Sequence, residues 1–299
     1  SDYALADRAQ RIVELIEARE KIGIDDIRRM HFDLVSPTAR IVAGHLGNLH
    51  PSEPALVEVV ELMRQWDGTL AADSPAATVY EVFMQRLIHR VLGSRLGEDL
   101  TSRYAGRGPT PVLAEASIFA CRAWEWLERI LSDPTSHWFD LGHGEGREEA
   151  MGRALRETVE ILKEELGPEP RDWAWGRLHR LTFAHPLGQV RRLDRLLNRG
   201  AYPLGGDGTT VWASGPVGSD LRSETIVGPP FRFIADLGDL RRSLGLLAPG
   251  QSGHPASSRY DDQIPAWFNG DYHPMLYVRE DVEREAIDRL WLKPATSPR

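Results

Sequence analysis

From its start to about residue 167 the chain repeats apolar side chains at spacings of three and four, and beyond that point it does not. This change of period constrains the fold most strongly, because a period near 3.6 builds helices with one apolar side, whereas a chain without it forms strands and turns. In "RAQRIVELIEARE" Ile12, Val13, Leu15 and Ile16 stand opposite Arg11, Glu14 and Glu17, which predicts a helix with its apolar stripe on a core. In "PALVEVVELMRQWDG" Leu56, Val59, Val60 and Met63 keep the spacing, and Gly68 closes the pattern. Ser74 and Pro75 read as the N-cap and first residue of the helix in "DSPAATVYEVFMQRLIHRVLG". Two more helices follow, in "TPVLAEASIFACRAWEWLERIL" and "GREEAMGRALRETVEILKEELG".

After "GPEPRDW" glycine, proline and β-formers take over. Candidate strands lie at 210–214, 231–236 and 243–248, each bounded by turn residues. In "FRFIAD" Phe231, Phe233 and Ala235 alternate with Arg232, Ile234 and Asp236, the pattern of a strand with one buried face. A last helix is expected in "REDVEREAIDRLW" and a frayed tail in "KPATSPR". The fold expected is therefore α+β, with a mainly helical part over 1–167 and a mixed strand and helix part over 168–299. So few strands leave open edges, which must be closed by a small sheet of their own or by a larger sheet built elsewhere.

Composition removes several classes of function. The 299 residues are 41% hydrophobic, enough for one large domain or two small ones. The net charge of −8 is mixed along the chain, so nothing marks a nucleic-acid or anionic-membrane surface. No apolar run is long enough to span a bilayer, and "SDYALADRAQ" has no signal-peptide pattern. Cys121 is the single cysteine, which excludes an internal disulfide and a thiolate metal cluster and reads as a buried helical thiol.

Residues 250–275, "GQSGHPASSRYDDQIPAWFNGDYHPM", concentrate the polar side chains that an active site uses. Around Ser252, "GQSGH" departs from the nucleophile elbow G-x-S-x-G at His254, and no helical pattern follows, so a glycine-rich turn is expected. His179, His185, His254 and His273 lack metal-ligand spacing, and their rings are expected to bond backbone carbonyls. "GHGEG" (142–146) and "GGDG" (205–208) lack the strand and helix context of a phosphate loop and read as turns. Asp261 and Asp262 are adjacent, so their carboxylates diverge, as on a surface turn. By spacing alone no catalytic site declares itself; a serine hydrolase using Ser252 and a non-catalytic interaction or scaffold module both stay open.

Several stretches together resemble the penicillin amidase (penicillin acylase) family of N-terminal nucleophile hydrolases. They are "ADRAQRIVELIEA", "QWDGTLAADSPAATVYEVF", "WGRLHRLTFAHPLG", "RGAYPLGGDGTTVWASG", the long run from "FRFIADLGDL" to "GDYHPM", and "LWLKP". The resemblance implies strands belonging to an αββα core and the C-terminal portion of the family's β chain. It implies an amide hydrolase acting on N-acyl small molecules such as penicillins or acyl homoserine lactones, through a serine at the β-chain N-terminus whose own amine acts as base. That serine and the oxyanion donors fall outside this chain. Within it, the resemblance assigns a supporting role to Arg8 of "ADR". Ser1 is followed within a few residues by a helix, whereas the family's nucleophile opens a strand, so this chain alone is expected to be inactive. No cofactor is implied here; a structural calcium belongs to the complete enzyme. The implied partners are the α chain and the N-terminal part of the β chain, with no nucleic acid and no membrane. Self-association through open strand edges and export to the periplasm are the remaining expectations. On this reading Tyr260, Trp267 and Tyr272 pin the 250–275 turn to the fold.

Overall fold

The computed structural model describes residues 6–105, 118–141, 146–215, 224, 225 and 227–294, with side chains from 105 to 122 outside the description. Cys121 falls on a helix, but its side chain lies outside the described residues. By contacts the chain divides into two units, one of residues 1–22 and 29–229 and one of residues 23–28 and 230–299. The change of texture near residue 167 thus falls inside the first unit.

The first unit carries α1 (Asp7–Glu17), the end of α2 (Ile24–Met30), α3 (Pro37–Gly47), α4 (Pro54–Gln65), α5 (Pro75–Leu96), α6 (Glu98–Ala105), α7 (Ile118–Ser132) and α8 (Arg147–Leu166). Ser74 caps α5 by accepting from the Ala77 amide at 3.2 Å, Pro75 opens it, and Gly97 ends it at φ +74°. Residues 76–84 of α5 are buried on every side, the signature of a central helix. Leu56, Val59, Val60 and Met63 of α4 are buried as their spacing predicts. On α8 the buried positions Ala150, Met151, Ala154, Leu155, Thr158, Val159 and Leu162 form one face, against α5.

The stripe on α1 behaves differently. Ile12, Val13 and Ile16 are 39%, 49% and 43% exposed, so the apolar side expected to face a core faces outward. The opposite side seats the helix, where Arg11 grips Asp33 through Nε–Oδ1 and Nη2–Oδ2 contacts of 2.9 and 2.8 Å. A two-pronged, part-buried guanidinium–carboxylate pair fixes orientation as well as distance.

Beyond α8 the first unit adds a two-stranded antiparallel sheet of β1 (Arg180–Phe183) and β2 (Arg199–Pro203), with the short helix α9 (Asp194–Leu197) between them. Arg180 stands opposite Pro203 and Phe183 opposite Arg199, with a register irregularity between Leu181 and Phe183. Residues 210–214, expected as a strand, form bends instead. Thr210 Oγ1 lies 2.8 Å from the Trp212 carbonyl, and the Asp207 side chain accepts from the Thr209 and Thr210 amides, so local bonds replace a ladder.

The second unit is a three-stranded antiparallel sheet in the order β3 (Phe231–Ile234), β4 (Leu244–Leu247), β5 (His273–Pro274), with α10 (Ile264–Asn269) and α11 (Arg279–Glu285). Phe231 faces Leu247 across the ladder, Ile234 faces Leu244, and Gly245 faces His273. The buried face of β3 carries Arg232 and Ile234, while Phe231 and Phe233 are 50% and 47% exposed and stack on each other. Trp267 on α10 explains why Arg232 faces inward: the Arg232 guanidinium lies 4.6 Å over its ring and donates to its carbonyl at 3.0 Å. Burial lowers that guanidinium to about 10, still charged at neutral pH. The chain is α+β, a helical layer followed by small antiparallel sheets.

Candidate functional site

Ser1, the first part of "GHGEG" and the C-terminal residues 295–299 lie outside the described residues. Arg8 is exposed in the first turn of α1. Ser252 sits in a turn, where its hydroxyl accepts from the His254 amide at 3.1 Å and its own amide donates to the Arg259 carbonyl at 2.9 Å. The contact with His254 is thus hydroxyl to backbone and not hydroxyl to ring. Asp262 pairs with Arg259 at 2.8 Å at the approach to α10. Tyr260 and Trp267 are buried, and Arg28 lies 5.5 Å over the ring of Tyr272.

The four histidines divide between the units, His179 and His185 in the first and His254 and His273 in the second. His185 and His254 accept through Nδ1 from the amides of Leu187 and Ala256, the reverse of the carbonyl bonding expected of them. His273 is exposed on β5. His179 alone is buried, its ring nitrogens each 2.9 Å from a carbonyl, of Leu204 and Gly215, and its ring stacked on Trp175 at 4.8 Å. Burial pushes this imidazole below its ordinary value, against the pull of the two carbonyls and of Asp207. Among the described residues no group of three or more His, Cys, Asp or Glu is arranged to hold a metal.

Charge is concentrated instead in the interior of the first unit. Asp207 is buried, and its Oδ1 accepts from the Thr209 amide, the Thr209 hydroxyl and the Thr210 amide at 2.8, 2.7 and 3.1 Å. Thr209 Oγ1 also lies 2.7 Å from Ser36 Oγ, the N-cap of α3, which accepts from Ala39 at 3.0 Å. Glu81, in the middle of α5, is buried against Asp207, and no other donor reaches its oxygens among the described residues. Burial beside the Asp207 carboxyl disfavours a second charge, so Glu81 is held in its neutral form. Burial and the neighbouring charge push Glu81 well above the usual carboxylate range. The sequence carried a signal for this pair that spacing arguments passed over: one carboxylate inside the apolar run "ATVYEVFM", and an Asp followed by Gly-Thr-Thr.

A second carboxyl pair lies beside Arg8. Asp7 is buried at the start of α1, and Thr38 Oγ1 lies 2.5 Å from its Oδ1 and 2.8 Å from Oε2 of Glu128 on α7. Desolvation raises Glu128 above its ordinary value, with the Thr38 contact opposing and Asp7 and Glu125 adding to the push.

The penicillin amidase family model matches residues 1–284. The chain belongs to the penicillin amidase family. The penicillin acylase 2 proenzyme of Pseudomonas sp. (strain SE83) is 31% identical over 303 residues, covering 98% of this chain and 37% of the proenzyme. The acyl-homoserine lactone acylase QuiP of Pseudomonas aeruginosa is 29% identical over 318 residues, covering 97% of this chain and 37% of that protein. The chain therefore spans 37% of the length of these curated relatives. Among solved structures, the thermostable penicillin G acylase from Alcaligenes faecalis superposes with a TM-score of 0.59 at 16% identity, over 98% of this chain and 52% of that one. At that identity the likeness speaks for the fold alone.

Proposed function

We propose that this chain is the C-terminal β-chain portion of a hydrolase that cleaves the amide bond of N-acyl small molecules. The observation that carries the reading is the alignment of 98% of this chain with 37% of a penicillin acylase proenzyme, in a family match reaching from residue 1 to 284. The nucleophile is a serine at the N-terminus of a β chain that begins before these residues. Its hydroxyl attacks the acyl carbonyl, its α-amine takes the proton through water, the amine product leaves, and water then releases the acid from the acyl enzyme. Arg8 lies near the acyl group and plays a supporting part. Penicillins and acyl homoserine lactones are the substrate classes that the relatives' names suggest.

The outward apolar side of α1 and the open face of β3 support the further point that other polypeptide covers this chain in the complete enzyme. Ile12, Val13 and Ile16 are exposed together on α1, and Phe231 and Phe233 stack on each other in the open; clustered exposed apolar groups mark interaction sites. The α chain and the N-terminal part of the β chain are the covering segments, and any structural calcium is held there.

Treating the complete native protein with a serine-directed acylating reagent and mapping the label by peptide mass spectrometry tests the assignment. The label is expected on an N-terminal serine that precedes these residues. Label on Ser252 or Ser1 would contradict it.

A further inference from the structure

We propose that Asp7, Thr38 and Glu128 form a proton-sharing clamp that seats the first turn of α1 and thereby positions Arg8. The argument starts from how α1 is held. Its apolar side chains Ile12, Val13 and Ile16 point outward, so polar contacts on the other side seat it. Arg11 and Asp33 hold the middle of the helix. At its start, Ala6 stands at the N-cap with no side-chain cap, and Asp7 is the buried residue of the helix.

A threonine hydroxyl has one proton. Thr38 Oγ1 lies within hydrogen-bond distance of two carboxyl oxygens, at 2.5 Å from Asp7 and 2.8 Å from Glu128. It donates to one of them, and the other contact is a bond only if that carboxyl carries a proton and donates to the hydroxyl. The three groups therefore close into a chain, carboxylate to hydroxyl to carboxylic acid, that holds one proton between two acids. With both acids ionised, one contact becomes oxygen against oxygen and the two charges repel. Glu128 is the acid that keeps the proton, since desolvation and the neighbouring carboxyls of Asp7 and Glu125 raise it against the opposing contact with Thr38. The other charged and titratable groups around the clamp are Arg11 and Glu14 on α1, Arg40 on α3, Glu125 on α7, and Tyr80 on α5. The Arg11 and Arg40 contacts are to Asp33 and Glu14, leaving Thr38 as the bridge between Asp7 and Glu128.

Arg8 directly follows Asp7, so the clamp sets the direction in which Arg8 leaves the helix. This part rests on the supporting role proposed for Arg8, whereas the clamp itself does not. Amide hydrogen exchange of α1 in the complete native protein, read from pH 4 to 9 and corrected for intrinsic rates, tests the clamp alone. Thr38→Val is expected to speed exchange of the amides from Gln10 onward, the first that bond within α1, about ten- to hundredfold, the scale of one hydrogen bond to a charged group. In the wild type, Glu128 is raised in the fold, so the clamp is complete at low pH and is lost as pH rises through the folded value. Glu128→Gln, whose amide donates at every pH, is expected to remove that rise in exchange and keep α1 protected. Unchanged protection in Thr38→Val, or a wild-type pH dependence persisting in Glu128→Gln, overturns the clamp.

Kinetics separate the two claims. If Arg8→Ala lowers kcat/KM and Thr38→Val lowers it too, with Glu128→Gln shifting the alkaline limb of the profile, both stand. If Arg8→Ala lowers it while Thr38→Val does not, the positioning role falls and the Arg8 assignment survives. If Arg8→Ala has no effect, the Arg8 assignment falls, and hydrogen exchange decides the clamp.

Discussion

Replacing Trp175 with alanine is expected to cost the first unit about 3–5 kcal/mol, the range for deleting a buried aromatic side chain. Trp175 is fully buried, stacks on His179 with the ring planes 10° apart, and donates through Nε1 to the Gly206 carbonyl at 3.1 Å. Alanine would leave a cavity beside His179 and release the turn that carries Asp207. Phenylalanine keeps most of the ring and loses the indole bond, so Trp175→Phe should cost much less, nearer 1 kcal/mol for the bond. The denaturant midpoint of the first unit measures both. An alanine cost no larger than the phenylalanine cost would show that the ring does not hold this turn.

The second large effect concerns the buried acid pair. Removing Asp207 strips the acceptor from Thr209 and Thr210 and leaves Glu81 without its partner. Each buried donor left without an acceptor costs about 1–3 kcal/mol, and Asp207→Ala strands those of both Thr209 and Thr210. Glu81→Gln has a different consequence, visible in pH. Because Glu81 is raised in the fold, the folded chain binds a proton that the unfolded chain releases. Its contribution is complete below the ordinary value of 4.5 and declines as pH rises through the folded value. Glutamine donates to Asp207 at any pH, so thermal stability measured from pH 5 to 9 should fall less in Glu81→Gln than in the wild type. His179 works in the opposite sense: lowered in the fold, it contributes above about its ordinary 6.5 and costs stability as pH falls from there. An identical stability slope in Glu81→Gln and the wild type would show that the shared proton is absent.

Where local periodicity and burial agreed, the sequence was legible. α4 lies where Leu56, Val59, Val60 and Met63 predicted it and buries that side, and α5 begins at the predicted Ser74–Pro75 start. The β3 and β4 strands were visible for the same reason, although the face was not. Alternation names two faces without saying which is buried, and Trp267, more than thirty positions along, drew Arg232 inward. The α1 stripe misled because amphipathicity assumes that the apolar side meets this chain's own core. In α1 a guanidinium fork and a buried Asp do the seating. β1 and β2 were missed because neither buries an alternating face: only Leu181 of β1 and no residue of β2 is buried. Of the candidate site, Arg8 was reached through a family resemblance and not through spacing. Glu81 with Asp207, and Asp7 with Glu128, pair over 126 and 121 positions of sequence, beyond the reach of any local rule.

Release of product from a phenylacetyl anilide and from an N-acyl homoserine lactone, measured side by side for this 299-residue chain and for the complete native protein, tests the central claim most directly. The complete protein is expected to hydrolyse at least one of these amides and the chain alone neither. Hydrolysis by the chain alone that disappears on changing Ser1 or Ser252 would contradict the assignment of the nucleophile to preceding polypeptide.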